Sequence, residues 1–251
     1  MIWETPLRTR LLREQNRAYK ITLRLLWRLY GIHSPLVFLA HDVGTSEQSL
    51  SSFKLLLQYL ADNNWHAMTE DELLNGKWAK KSFYFTFDDI PDSVYTIALP
   101  VLKEYNVPFT AFITKDLIDK TGYITTPHLK ALANESLCRL GGHGIDHVVF
   151  RHLSDEETLC QCLGVKEWIQ SNLGTDYSTF AFPYGGTIEV SQSNRRISHQ
   201  AGHLMSFSTF EGTLLSSWFT GKYFLPRVNV SERFVEKFTA GKFPNFKDCE
   251  G

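Results

Sequence analysis

With 251 residues, 43% hydrophobic and 21% charged, the chain can bury a full core as one domain, and its composition is that of an ordinary globular protein. A formal net charge of -1 provides no basic footprint for a nucleic-acid partner, and the four cysteines (Cys138, Cys160, Cys162, Cys249) form no C-x-x-C pair, which argues against a disulfide framework or a thiolate metal site. No run of about 18 apolar residues could cross a bilayer and no secretory leader is recognisable, so the expected location is cytoplasmic.

Residues 1–33 form a segment of their own, in which Arg8, Arg10, Arg13, Arg17, Lys20, Arg24 and Arg28 interleave with Leu11, Leu12, Ile21, Leu25 and Leu26. The pattern predicts a basic amphipathic helix. It either packs across the bottom of the main domain, residues 34–251, or lies on an anionic membrane surface. Seven β-like runs follow, at 36–40, 83–87, 109–114, 137–140, 178–182, 205–209 and 223–230, and most of the chain between them has helical character. Leu50, Phe53, Leu57 and Leu60 keep a 3.6-residue period, as do Val94, Ile97, Val101 and Tyr105, where Pro100 is expected to kink the helix. Ser154-Asp-Glu-Glu157 predicts a capping box and Gly174 the end of the helix it opens; Thr69-x-x-Glu72 and Thr126-Pro127 mark two further helix starts. Strands alternating with helices imply a parallel sheet, and seven such units imply a closed or nearly closed barrel of the α/β class.

Chemistry-bearing residues fall at the carboxyl ends of those strands, the face on which parallel barrels assemble their sites. His41-Asp42 follows the first run, Asp88-Asp89 the second, His143-Gly-Ile-Asp-His147 the fourth and Pro183-Tyr184-Gly185 the fifth. One carboxylate and two imidazoles, Asp89, His143 and His147, suit a divalent metal bound on one face with positions open for water and substrate. Asp88, forced beside that ion by adjacency, would take a proton from the water. Either clue alone has a plain structural alternative, since paired Asp residues cap helices and an i, i+4 His pair can decorate a surface. Asp146 between the histidines reads either as a partner for an imidazole or as a solvated loop acid.

Thr86-Phe-Asp-Asp89, His143-x-x-x-His147 followed by Leu153-Ser154, and Phe182-Pro-Tyr-Gly185 resemble the successive motifs of the NodB-homology polysaccharide deacetylases, carbohydrate esterase family 4. The resemblance spans roughly residues 36 to 230 and implies a deformed (β/α)7 barrel. It also implies a bound divalent metal, Zn2+ first with Co2+ or Ni2+ as alternatives, and removal of acetyl groups from an N-acetylated glycan. By the same likeness Asp88 is the base, Asp89, His143 and His147 hold the metal, and the Tyr184 backbone N–H helps to hold the oxyanion on a turn set by Pro183 and Gly185.

Family members commonly carry a His-Asp pair near the C-terminus, whereas no histidine follows residue 203 here. His41-Asp42 near the start resembles instead the rearranged motif order of the poly-N-acetylglucosamine deacetylase branch, which makes His41 the candidate acid and Asp42 its orienting partner; a plain strand-end histidine is the alternative. Ile90 stands where the family prefers Gly, Gly144 replaces a Ser or Thr, and Ala181 takes the place of an Arg that pairs with the base, a role Arg227 could fill unless it serves another salt bridge. The aromatic and acidic motif expected after the Pro-Tyr-Gly turn is not recognisable. Competing functions are therefore an O-acetyl esterase or small-amide hydrolase on the same centre, and a catalytically impaired glycan-binding protein.

Overall fold

The computed structural model describes residues 33–44 and 46–242, so the amphipathic helix expected over 1–33, His33 apart, lies outside the described residues, as does Cys249. Among the described residues eight parallel strands are present: β1 (Leu36–Ala40), β2 (His66–Ala67), β3 (Ser82–Phe87), β4 (Phe109–Ile113), β5 (Cys138–Gly142), β6 (Thr179–Ala181), β7 (Met205–Glu211) and β8 (Leu225–Asn229). All seven expected runs are strands. β1 pairs with both β3 and β8, which closes a ring of seven strands in the order β1-β8-β7-β6-β5-β4-β3. The two-residue β2 escaped the sequence reading because it is too short for any alternation; it pairs with the first two residues of β3, ahead of the stretch that β4 occupies.

Period-two alternation divides β3 between two cores. Phe83, Phe85 and Phe87 face the helical layer, where Phe85 meets Phe38 and Phe53 at ring distances of 5.1 and 5.5 Å. Each such ring contributes roughly 1.5–3 kcal/mol of burial. Tyr84 and Thr86 point into the barrel, and Asp88 continues their phase just past the strand, which is why an acid at this position meets the barrel's interior. The lower interior is capped by the short α2 (Glu70–Leu74), whose Glu70 carboxylate accepts from Thr179 at 2.9 Å. Burial pushes that carboxyl up.

The surrounding helices are α1 (Glu47–Asp62), α2, α3 (Leu99–Glu104), α4 (Thr126–Ala133), α5 (Asp155–Leu173), α6 (Gln192–Gln200), α7 (Ser217–Thr220) and α8 (Glu232–Thr239). Ser154 and Glu157 form the expected capping box at the start of α5, Gly174 ends it with φ 66°, and Thr69 with Glu72 caps α2 in the same way. α4 starts at Thr126 as expected, capped by the Thr125 side chain, and Pro127 occupies the first turn. Ahead of Pro100 the chain widens into a π turn over Val94–Ala98, in which the Leu99 N–H donates to the Val94 carbonyl. A proline at this point lacks an N–H and crowds the carbonyl four residues back, and the wider turn absorbs both effects. None of the described helices is long and apolar enough to cross a membrane.

Candidate active site

Asp88 and Asp89 leave β3 at the carboxyl end of the barrel, and His143 leaves β5. The Asp88 N–H donates to the Ala40 carbonyl at 3.0 Å and the His143 N–H to the Ile113 carbonyl at 2.8 Å, so both turns are continuations of the strand ladder and inherit its rigidity. Asp89 Oδ1 lies 3.3 Å from His147 Nε2 and 3.6 Å from His143 Nε2, and the three candidate ligand atoms all fall within 4.8 Å of one another. Donors held at zinc-ligand bond lengths of about 2.0–2.2 Å stand roughly 3–3.5 Å apart, so the cluster fits a divalent cation.

The tautomer of His143 fits as well. Its Nδ1 lies 2.7 Å from the Ala181 carbonyl, which can only accept, so Nδ1 carries the proton and Nε2 presents a lone pair to the cluster. Burial pushes this imidazole below its ordinary value, against the pull of Asp88 and Asp89, and keeps it neutral as a ligand must be. Thr114, just past β4, donates to Asp89 Oδ1 at 2.9 Å and fixes the carboxylate.

Asp88 is buried, and Arg227 from β8 grips it with two parallel bonds of 2.7 Å, one to each carboxylate oxygen. Two further guanidinium N–H groups are used: Nε donates to the Ser208 carbonyl at 2.8 Å and Nη1 to the Thr86 hydroxyl at 3.1 Å, while the rings of Phe112 and Phe207 lie 5.7 and 5.8 Å from the guanidinium. Burial alone would raise the Asp88 carboxyl; the Arg227 charge, helped by His143 and His41, holds it down to about 2.

Four of the eight non-glycine residues with positive φ among the described residues lie here: Asp89 (62°), Ile90 (47°), His147 (56°) and Tyr184 (59°). Left-handed backbone at bulky residues is costly, and its concentration at one place marks a site held by its surroundings. Tyr184 and Gly185 turn together. A Cβ on Gly185 would come within 2.6 Å of the Thr209 backbone N, so this turn needs glycine. The Tyr184 ring lies 4.7 Å from His147, and the buried Pro183 packs beneath the turn.

His41 follows β1 on the exposed rim, near enough to Asp88 to help keep it ionised. Asp42 does not bond to His41; it accepts a short hydrogen bond from Ser93. Asp146 likewise meets no imidazole. It accepts from Gln161 Nε2 at 2.7 Å, and Gln161 Oε1 accepts from the Ile145 N–H at 2.7 Å, so Gln161 braces the loop between the two histidines. Arg151 was not singled out from sequence; its guanidinium and N–H bond the carbonyls of Thr187, Ile188, Glu189 and Val190, lacing the loop after His147 to the loop after Tyr184. Its one signal was its place beside Leu153-Ser154.

The family model for polysaccharide deacetylase matches residues 75–205, just over half of the 251-residue chain. The chain belongs to the polysaccharide deacetylase family. It is 25% identical over 205 residues to a poly-β-1,6-N-acetyl-D-glucosamine N-deacetylase of Staphylococcus aureus strain MSSA476, covering 75% of this chain and 69% of that one. Its fold is shared with IcaB from Ammonifex degensii, at a TM-score of 0.72 and 23% identity over 83% of this chain and 97% of that one. It is shared too with the Streptococcus pyogenes deacetylase PplD in complex with acetate, at a TM-score of 0.73 and 18% identity over 84% and 99% of the two chains.

In this polysaccharide deacetylase the departures from the family pattern have local causes. Ile90 keeps the left-handed backbone that a glycine would adopt freely, and its side chain is buried in the outer core, which pins the turn. Gly144 has φ 85°, and a Cβ there would stand 3.2 Å from Gln161 Oε1. Ala181 offers its carbonyl to His143, and the guanidinium on Asp88 comes from Arg227 across the barrel.

Proposed function

We propose that the chain is a metal-dependent hydrolase that removes N-acetyl groups from an N-acetylated carbohydrate. The observation that carries this reading is the placement of an ionised, Arg227-clamped Asp88 beside the Asp89–His143–His147 cluster, with His143 Nε2 4.0 Å from Asp88 Oδ2. The S. aureus relative, named for N-deacetylation of a poly-N-acetylglucosamine, supports that substrate class. A divalent cation, Zn2+ by the donor set and replaceable by Co2+ or Ni2+, would polarise the acyl oxygen and make water acidic at neutral pH.

Asp88 then accepts the water's proton. Arg227 keeps the carboxylate ionised and aimed, at a cost in basicity that the water's increased acidity offsets. The Tyr184 N–H, held on a left-handed turn between Pro183 and Gly185, would donate to the oxygen on which charge develops. His41 supplies the proton to the departing amine from the rim opposite Tyr184's turn.

The test is acetate release from a chitooligosaccharide by Asp88→Asn with its metal content measured. Loss of release with metal retained is expected, and unchanged turnover would reject Asp88 as base. Acetylated xylan as a parallel substrate separates amide from ester hydrolysis on the same centre, and glycan binding without any acetate release would instead favour a binding protein.

A further inference from the structure

Among the described residues, the loop that carries His41 is anchored by the buried Val43 and borders a small pocket on one side. A cavity of about 40 Å³ lies under Ala40, Asp42 and Val43, between them and Ser49 of α1 and Val235 of α8. On the other side the loop is seated on the π turn. The Ser93 hydroxyl donates to Asp42 Oδ1, and the Val43 N–H donates back to Ser93 Oγ at 3.4 Å. One turn further, Ile97 presses on Gly44, where an added Cβ would meet the Ile97 side chain at 2.9 Å, and Gly44 has φ 86°. Ser93 and Ile97 are four residues apart and therefore share one face of the turn. A further polar tie is the Gly44 N–H to Ser49 Oγ at 3.0 Å.

We propose that Ser93 is a positioning residue, which holds the His41 loop against the segment carrying Asp88 and Asp89 by bonding Asp42 and the Val43 amide together. The inference rests on His41 as the proton donor and assigns Asp42 a different task from direct contact with the imidazole. Asp42 is the loop's handle, and Ser93 is what grips it. Because Ser93 follows the acid pair by only a few residues, the base and the donor are registered to one rigid turn, and a loosened loop would present His41 in the wrong place rather than remove it.

The full chain supplied with Zn2+ is assayed for acetate release from a chitooligosaccharide, as wild type, Ser93→Ala, Ser93→Thr, His41→Ala and the Ser93→Ala/His41→Ala double variant. Misplacement on the scale of an ångström predicts that Ser93→Ala lowers kcat roughly 10- to 100-fold with KM and zinc content unchanged. Ser93→Thr, which keeps the hydroxyl, restores most of the rate. The double variant is no slower than His41→Ala alone, because a residue acting through His41 has nothing left to act on. Independently of turnover, amide hydrogen exchange in residues 41–44 quickens in Ser93→Ala. Wild-type kcat in Ser93→Ala, unchanged exchange in that loop, or losses that multiply in the double variant would overturn the proposal. If His41→Ala keeps full turnover the donor assignment falls and the proposal with it, whereas an inactive His41→Ala beside a fully active Ser93→Ala removes Ser93 alone.

Discussion

Asp88 and Arg227, 139 residues apart in the chain, meet inside the barrel through two parallel hydrogen bonds of 2.7 Å, both side chains shut off from solvent. An ion pair so placed contributes less by its attraction than it would cost if broken, because either partner left alone is an uncompensated buried charge. Arg227→Met is expected to lower stability by about 3–5 kcal/mol, and Asp88→Asn/Arg227→Met to recover most of that loss. Urea unfolding of wild type, both single variants and the double variant measures it; additive losses would contradict the pairing.

Among the groups that make stability depend on acid, two act in clearly separate pH ranges. His203 is fully buried behind β6 and β7, and burial, with Lys166 adding to it, pushes the imidazole down to about 3. The unfolded chain takes up this proton below about pH 6.5 while the folded chain refuses it, so stability falls from there toward pH 3 at a slope approaching ~1.4 kcal/mol per pH unit. Asp88 acts lower. With a folded value of about 2 its contribution, roughly 2 kcal/mol, is fully present above about pH 4 and is lost as pH falls through 2. Urea midpoints across pH 7 to 3 should therefore flatten between pH 6 and 4 in His203→Gln and not in Asp88→Asn.

Removing the cation should end acetate release, and restoring Zn2+ should return it. Because the donors converge only in the folded chain, zinc at 100 times its dissociation constant stabilises by about 2.7 kcal/mol, a rise in Tm on the order of 5–10 °C for a domain of this size. Asp89→Ala should show neither effect while folding normally, as followed by circular dichroism; an undiminished zinc shift in that variant would place the cation elsewhere.

Ile90 sets a backbone cost against a packing gain. Glycine would relieve a left-handed φ worth about 1–2 kcal/mol, but the buried side chain it deletes is worth about 2–5. Ile90→Gly is accordingly expected to lose about 1–3 kcal/mol in thermal or urea unfolding despite matching the family's preferred residue. A gain in stability would show that the turn, and not the core, dominates.

The barrel was legible because each strand run is bounded by turn residues and the helical periods between them leave only parallel pairing. Ser154, Thr69 and Gly174 also declared their helix ends locally, since a cap is satisfied within four residues. Asp88, Asp89, His143 and His147 stood out because acids and imidazoles at strand ends have no use in packing. Other residues carried no such mark. Ser93 resembles any helix-start serine, Gln161 any exposed position on α5, and Arg151 any surface cation, and each takes its role from a partner that is distant in the chain or reached only through a folded loop.

By itself, the sequence determined which residues could do chemistry and the class of fold that would carry them, because periodicity, capping and turn preference act over a few neighbouring positions. Only the tertiary structure decided that Arg227 clamps Asp88, that Asp42 bonds Ser93 rather than His41, and that Asp89, His147 and Tyr184 sit on left-handed backbone. Those outcomes depend on which strands and loops the fold sets side by side, as when the ring closes and β8 comes beside β1, and no local pattern encodes which side chains then share the same few cubic ångströms.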